Sequence, residues 1–369
     1  MIDRKLPAYI TDNDSLNTLC ESLHQVPVIG VDTEFIRTRT FFPKLGLIQV
    51  SLDNGVYLID PLTIDQWQPW IDVLASPEIV KIFHACSEDL EVLYHCFGVM
   101  PVNVFDTQIA AAFLGYDFSM GYQRLVKTCF DQDIPKESSR TDWLKRPLTD
   151  EQLSYAKQDV EFLIPLYLQM QPALTAKFEM DVMAEELQVI QDNVERDDFS
   201  EAYQKFGLTW QLDGYQLARL QALAAFREDL MRKLDRPRKH IATNDALLAL
   251  AKKGQWQVAS LYKMEGFSIG LNKTRFDQWL TLLNQDYKPL EPLKRPRKPG
   301  SRFRKVKRQL TMLANKHQIA EPLLLKKSWL KVLDQQIMKR PDAPEIEGWR
   351  QPFYTKAMAL GLNDPTDSS

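Results

Sequence analysis

Val28-Ile-Gly-Val-Asp-Thr-Glu-Phe35 is the stretch that decides how the first part of this chain folds. Apolar and polar residues alternate along it, and this period of two predicts a β-strand. Side chains two apart in a strand point to the same face, so Asp32 and Glu34 are expected to project together. Taken alone, such a pair is more often a solvated strand face than a metal site.

A third acid follows the next strand pattern. The run Val80-Lys-Ile-Phe-His84 is β-branched and aromatic, and a helical segment from Ser87 to Phe97 comes after it. Asp89 lies in the first turn of that helix, where the helix dipole favours negative charge. We expect Ser87 to cap the helix.

A tyrosine and a fourth acid share a later helix. Apolar residues recur at spacings of three and four from Thr149 to Tyr167, which predicts one helix over that range. Tyr155 and Asp159 are four apart, so the phenol and the carboxylate lie on one face of the helix.

Four acids and one phenol suit the hydrolysis of a phosphodiester. Attack of water builds negative charge on the entering and leaving oxygens, and two cations about 3.5–4 Å apart stabilise both. Hard divalent ions such as Mg²⁺ prefer oxygen ligands, so converging carboxylates predict a metal site. A tyrosine beside the attacking water can orient or deprotonate it. Asp60, Asp106 and Glu88 are rival carboxylates, whose simpler interpretation is loop capping.

The three segments resemble the three motifs of the DEDD superfamily of 3′–5′ exonucleases, in the tyrosine subclass. Their context resembles the bacterial ribonuclease D family through the stretches Phe83-His84-Ala85, Val104-Phe105-Asp106-Thr107, Gly121-Tyr122-Gln123-Arg124-Leu125, Asp142-Trp143, Arg146-Pro147-Leu148 and Tyr155-Ala156. The resemblance covers about residues 1–200. It implies an α/β fold, namely a ribonuclease H-like exonuclease domain with a mixed sheet flanked by helices.

The resemblance also implies a mechanism and a substrate. Asp32, Glu34, Asp89 and Asp159 would hold two Mg²⁺ or Mn²⁺ ions, and Tyr155 would orient the attacking water. We expect Asp32 to be the bridging ligand, because the central strand can present it to both ions. Hydrolysis would release nucleoside 5′-monophosphates from RNA 3′ ends, chiefly those of transfer RNA precursors and other structured RNAs.

Three further residues are candidates for contact with the substrate. Phe35, beside the acids, and Tyr122 are candidates for stacking on the terminal base or sugar, although an aromatic residue at a strand end is more often core. His84 is expected either to contact the scissile phosphate or to pack, with equal weight.

Charge is distributed unevenly along the 369 residues, although the formal net charge is only −3. Residues 1–200 carry 32 acids and 15 bases, whereas residues 201–369 carry 17 acids and 31 bases. An acidic catalytic half attracts a polyanion poorly, so we expect the basic half to gather nucleic acid. The basic run from Lys294 to Arg308 is interpreted equally as a linker or as an RNA contact.

The second half shows only helical periodicity. Leu220, Leu223 and Leu230 belong to a buried stripe that Pro237 ends, and a second helical block starts near Ser301. Each block resembles an HRDC domain, a small helical module of ribonuclease D and some helicases. We therefore predict an exonuclease domain over 1–205, a first HRDC-like domain over 206–292 and a second over 293–369.

Composition indicates an intracellular protein. The four cysteines lack zinc-like spacing, the start does not resemble a signal peptide, and no apolar run approaches the roughly 18 residues of a membrane span. We expect a cytoplasmic monomer with RNA as its partner, no membrane association and no evident protein partner.

Two other functions remain open on sequence alone. A DNA-directed 3′–5′ exonuclease of the same superfamily would use the same acids, and a non-catalytic nucleic-acid-binding protein would keep them as remnants. A helicase is disfavoured because the chain lacks a Gly-x4-Gly-Lys-Ser/Thr phosphate loop.

Overall fold

A computed structural model of the chain describes residues 8–135, 141–178, 181–195, 198–254, 256–267, 273–295, 300–341 and 343–362. These residues divide between two compact units. The first unit takes its residues from within 1–36, 45–194 and 299–369, and the second from 37–44 and 195–298. Of the helices that these ranges contain, none is long and apolar enough to cross a membrane.

The first unit is built on a mixed β-sheet. Its strands in the described part of the chain are β1 Ala8–Ile10, β2 Val28–Ile36, β3 Lys44–Leu52, β4 Gly55–Ile59, β5 Val80–Phe83 and β6 Val104–Asp106, in the sheet order β1-β4-β3-β2-β5-β6. β2 pairs in parallel with β5, and β5 in parallel with β6. β3 and β4 form an antiparallel hairpin whose register pairs Leu52 with Gly55, as the Asp53-Asn54-Gly55 turn pattern predicts.

Helices cover this sheet. They are α1 Asn13–Leu23, α2 Gln68–Ala75, α3 Ser87–Phe97, α4 Thr107–Phe113, α5 Tyr122–Phe130, α6 Asp150–Glu161, α7 Leu163–Lys177 and α8 Val182–Val194. α6 and α7 contact β2, and α3 contacts it as well. A Cβ atom at Gly30 would lie 3.0 Å from the Leu163 Cβ, so the glycine permits the close approach of α7 to the central strand.

The prediction of one continuous helix from Thr149 to Tyr167 is wrong. The structure breaks it at Phe162, whose φ of −103° and ψ of 4° end α6 before α7 begins. Pro165 gives the physical reason, because it has no N–H to donate to the carbonyl of Glu161 and its ring crowds that carbonyl. The Phe162 N–H donates instead to the Tyr122 hydroxyl at 2.9 Å.

C-terminal helices complete the first unit. These are α13 Ser301–Lys316, α14 Glu321–Leu324, α15 Lys327–Ile337 and α16 Gln351–Leu362. They share one hydrophobic core with the sheet, where Phe113 makes edge contacts with both Phe178 and Trp349. The start of α13 agrees with the helical block predicted from Ser301.

Glu186 joins this C-terminal block to α8. It is 3% exposed and accepts hydrogen bonds from the Arg350 guanidinium, the Lys326 ammonium and the Trp349 indole. Arg350 is also 3% exposed and stacks on the Trp349 ring with 4.3 Å between the guanidinium carbon and the ring centroid. Burial raises the pKa of Glu186, but the charges and hydrogen bonds of Arg350 and Lys326 outweigh it and hold that pKa below its usual range.

The second unit is helical. It contains α9 Gly214–Leu234, α10 Asn244–Lys253, α11 Val258–Tyr262 and α12 Lys273–Asn284, which pack around Leu220, Leu223 and Trp279. α9 ends at Leu234, three residues before Pro237, because Asp235 adopts a left-handed φ of 47°. The Asp235 carboxylate accepts from the N–H groups of Phe41 and Phe42, at 2.9 and 2.8 Å, which places segment 37–44 in this unit.

The two compact units are defined by packing and not by sequence family, so the division into three domains over 1–205, 206–292 and 293–369 stays a prediction. The helices from Ser301 onward belong to the same compact unit as the sheet, and this packing alone does not define a domain boundary. Residues 296–299 of the predicted linker lie outside the described part of the chain.

We predict that Glu186→Ala destabilises the protein by about 3–5 kcal/mol, because it leaves Arg350 buried without its counter-charge. Denaturant unfolding followed by tryptophan fluorescence measures this change. Glu345→Ala, which removes an exposed carboxylate from the same block, is the control and should change stability by less than about 0.5 kcal/mol. A loss for Glu186→Ala no larger than that of the control would contradict the prediction.

Candidate active site

Three predicted acids converge at the central strand. Carboxylate oxygens of Asp32 and Glu34, both on β2, and of Asp159 on α6 lie within 4.8 Å of one another. α6 packs against β2, which brings Asp159 to the strand although 125 residues separate it from Glu34. All three side chains are partly exposed, so the cluster is open to a ligand.

Asp89 approaches the same cluster from α3. It is 7% exposed, and its carboxylate accepts the Thr33 hydroxyl hydrogen at 2.5 Å. Thr33 lies between the two acids of β2, so one hydrogen bond fixes the second motif segment, which carries Asp89, to the first. The expected capping role of Ser87 is wrong, because Ser87 is the first residue of α3 and the capping position is Cys86, whose side chain makes no capping hydrogen bond.

Asp106 sets the turn that starts α3. Its carboxylate accepts from the N–H groups of Ala85 and Cys86, at 3.1 and 2.8 Å, and also caps α4 through Gln108 and Ile109. Ala85 has a φ of 60°, a left-handed conformation that is uncommon for a residue with a side chain. These hydrogen bonds hold the chain in that turn between β5 and α3.

Tyr155 lies beside Asp159, as their spacing on one helix predicts. Its hydroxyl is hydrogen-bonded to the Asp159 carboxylate. Burial raises the pKa of Tyr155, and the negative charges of Asp159 and Glu34 raise it further.

Burial and mutual repulsion control the charge of the acids. Burial raises the pKa of Glu34 to about 9, with further contributions from Asp159 and Asp89. Burial likewise raises the pKa of Asp89 to about 7, against the opposing hydrogen bond from Thr33, and that of Asp159 to about 7, against the bond from Tyr155. For Asp32, burial and then the charges of Asp89, Asp159 and Glu34 raise the pKa well above its usual value.

This donor set fits divalent cations. Carboxylate oxygens are the ligands that Mg²⁺ and Mn²⁺ prefer, and a cation would relieve the repulsion that raises these pKa values. The arrangement can therefore bind metal and stabilise negative charge on a phosphodiester.

The three predicted substrate contacts have partners within the fold. The His84 Nδ1 lies 2.9 Å from the Thr107 hydroxyl oxygen, and its ring meets the Tyr122 ring edge-on with 5.5 Å between centroids. The Tyr122 hydroxyl accepts the Phe162 N–H, and Phe35 is partly buried against the core. Their contacts with a substrate stay predictions.

Sequence reasoning missed two neighbours of the acids. The period of two places Thr33 on the strand face opposite Asp32 and Glu34, so the strand pattern does not predict its hydrogen bond to Asp89; a hydroxyl between two acids is the available signal. Trp143 is 2% exposed and lies against Tyr155, with 6.1 Å between ring centroids. Asp60, a rival carboxylate, is ion-paired with Arg146 at 2.6 Å, whereas Glu88 is exposed.

The sequence matches two protein families. Residues 7–175 match the family described as 3′-5′ exonuclease, and residues 216–283 match the HRDC domain. The ribonuclease D of Escherichia coli (strain K12) is 33% identical over 366 residues, covering 95% of this chain and 96% of the relative. The ribonuclease D of Pseudomonas paraeruginosa is 41% identical over 244 residues, a match that covers 66% of this chain and 65% of that relative.

A solved structure has the same fold. The crystal structure of Escherichia coli RNase D, described as an exoribonuclease involved in structured RNA processing, superimposes with a TM-score of 0.83 at 32% identity and covers 96% of this chain and 98% of that one. Fold and site thus define a 3′–5′ exonuclease with an HRDC domain. The chain belongs to the bacterial ribonuclease D family and is a 3′–5′ exoribonuclease. Enzymes of this exonuclease class generally use divalent metal ions.

We predict that Glu34→Gln stabilises the metal-free protein at neutral and alkaline pH. The folded-state pKa of Glu34 is raised to about 9, so folding loses stability as pH rises above the unfolded value near 4.3. The variant escapes this loss, and its advantage should grow from near zero at pH 4 to about 1–3 kcal/mol at pH 9. Thermal unfolding in chelator at several pH values measures it. Asp133→Asn, an exposed acid, is the control, and equal stability of Glu34→Gln and wild type at pH 9 would contradict the prediction.

Proposed function

We propose that this enzyme removes nucleotides one at a time from the 3′ ends of transfer RNA precursors and other structured RNAs. Asp32, Glu34, Asp89 and Asp159 would hold two Mg²⁺ or Mn²⁺ ions in the proposed site. The observation that carries the proposal is the convergence of three carboxylates within 4.8 Å, with Asp89 joined to them through Thr33.

Each side chain has one task in the proposed mechanism. When bound, divalent cations act as Lewis acids and offset the negative charge that develops on the entering and leaving oxygens. Asp32 would contribute to holding both ions, since it lies on the central strand and the charges of Asp89, Asp159 and Glu34 all act on it. The Tyr155 hydroxyl, held by Asp159, orients the attacking water toward the phosphorus of the last phosphodiester. The new P–O bond forms as the P–O3′ bond breaks, the shortened RNA keeps the 3′ oxygen and takes up a proton as a 3′ hydroxyl, and a nucleoside 5′-monophosphate is released.

The exposed basic side chains of α13 are the proposed RNA-gathering surface of the first unit. Phe303, Val306 and Leu310 bury one side of α13, and Arg302, Lys307 and Arg308 are exposed around the rest of the helix. α13 belongs to the compact unit that holds the acids, so phosphates bound there stay on the catalytic body.

The proposed cellular location follows from the proposed substrate. Bacterial RNA precursors are made in the cytoplasm, so we place the enzyme there. We also propose that it acts as a monomer, because one chain supplies Asp32, Glu34, Asp89, Asp159 and Tyr155.

We predict that Asp159→Asn lowers the release of nucleotides at least about 10³-fold and leaves RNA affinity within about threefold, because the carboxylate contacts the reacting centre rather than the body of the RNA. A time course on a 3′-extended transfer RNA with Mg²⁺, Mn²⁺ or chelator measures release, and filter binding measures affinity. Asp133→Asn is the matched control. Near-normal turnover by Asp159→Asn would contradict the metal assignment, and equal attack on a matched single-stranded DNA would move the substrate class toward DNA.

We predict that reversing the charge of Arg302, Lys307 and Arg308 together weakens RNA binding and reduces the slope of log affinity against log salt by about 2. Hydrolysis of a dinucleotide should be much less affected, because its single phosphodiester occupies the catalytic site and leaves no further phosphates for α13 to bind. Lys331→Glu, an exposed residue of the same block, is the control for a single reversal. An unchanged salt slope in the triple variant would remove α13 from the RNA-binding surface.

A further inference from the structure

Arg146 is the centre of a polar cluster that the proposed mechanism does not use. Its guanidinium forms a bidentate ion pair with Asp60, in which Nε lies 2.6 Å from Oδ2 and Nη2 lies 2.6 Å from Oδ1. Tyr9 donates its hydroxyl hydrogen to the same carboxylate at 2.5 Å. Asp60 is only 2% exposed, so water competes little for these charged hydrogen bonds.

The remaining N–H groups of Arg146 donate hydrogen bonds to backbone carbonyl groups. Nη1 donates to the carbonyl oxygens of Trp143 and Lys145 at 2.8 and 3.0 Å, and Nη2 donates to the carbonyl of Gly46 at 2.7 Å. All five N–H hydrogens of the guanidinium therefore have acceptors. One side chain thus fixes the segment from Trp143 to Arg146 against strand β3.

Trp143 is the residue that this arrangement places. Its ring is buried and lies 6.1 Å from the Tyr155 ring, at an interplanar angle of 41°. A Cβ atom at Gly46 would come within 2.7 Å of the Trp143 Cβ, so β3 can support the tryptophan this closely only through a glycine. The Trp143 ring is therefore a rigid wall beside the Tyr155 side chain.

We propose that Asp60, Arg146 and Trp143 are positioning residues that set where the Tyr155 hydroxyl lies over the acids. The inference rests on the proposed role of Tyr155. Helix α6 fixes the Tyr155 backbone but leaves its ring free to tilt, and a tilt of about 10° moves the hydroxyl by about 1 Å. A misplacement of that size costs up to about 10²-fold in rate. The ion pair between Asp60 and Arg146 does not touch the reacting atoms. It acts on them through Trp143 and then Tyr155, and in this way it controls turnover.

A double-mutant cycle tests this coupling. Trp143→Leu removes the wall, Trp143→Phe keeps an aromatic ring, and Asp60→Asn breaks the ion pair; each is made in wild type and in Tyr155→Phe. Initial rates on a short RNA give kcat and KM separately. We expect Trp143→Leu and Asp60→Asn to lower kcat about tenfold or more with KM within about twofold, and Trp143→Phe to lower it less than about threefold.

In Tyr155→Phe, which is itself impaired, the same substitutions should cost less than about twofold, because no hydroxyl remains to be placed. Equal losses in both backgrounds would show that the cluster acts only on the fold and would overturn the proposal. Full activity of Trp143→Leu and Asp60→Asn in wild type would overturn it as well.

Three controls separate this outcome from other failures. Wild-type activity of Tyr155→Phe alone would contradict the proposed role of Tyr155 rather than the positioning cluster. Asp133→Asn, which breaks an exposed ion pair with Lys127, should change neither kcat nor KM. If circular dichroism shows that Trp143→Leu does not fold, the same test is made with Asp60→Asn and Trp143→Phe.

Discussion

Repulsion among closely spaced carboxylates is the constraint on which the rest of this structure depends. Strand β2 presents Asp32 and Glu34 on one side, and α3 and α6 bring Asp89 and Asp159 to it. Burial and neighbouring charge raise the pKa of each acid, so holding the four carboxylates ionised together has a cost that bound cations would relieve. The sheet, the cap at Asp106 and the bond from Thr33 hold these groups together against that repulsion.

Local patterns in the sequence predicted the parts of the site that depend on local geometry. The period of two placed Asp32 and Glu34 together, and the spacing of four paired Tyr155 with Asp159. Family resemblance supplied the expectation that the segments converge. The break at Phe162 was also local, but the apolar periodicity concealed the effect of Pro165.

Contacts between distant residues were beyond such patterns. Asp60 and Arg146 are 86 residues apart, and Glu186 and Arg350 are 164 apart. Neither pair has a periodicity that links its members, because the fold alone brings them together. The sequence therefore predicts the C-terminal helices to be a separate basic module, whereas the structure packs them against α8 in the unit that carries the acids. The division between an acidic and a basic half of the chain is thus not a division between the two compact units.

Counting the bound cations tests the central claim most directly. Mn²⁺ would be titrated into the metal-free enzyme with a saturating nucleoside 5′-monophosphate and followed by electron paramagnetic resonance, with Asp32→Asn beside wild type. The account predicts two ions per wild-type chain and a loss of tight binding in the variant, because Asp32 is the acid proposed to contribute to holding both ions. Undiminished binding by Asp32→Asn, or no saturable binding by wild type, would contradict it.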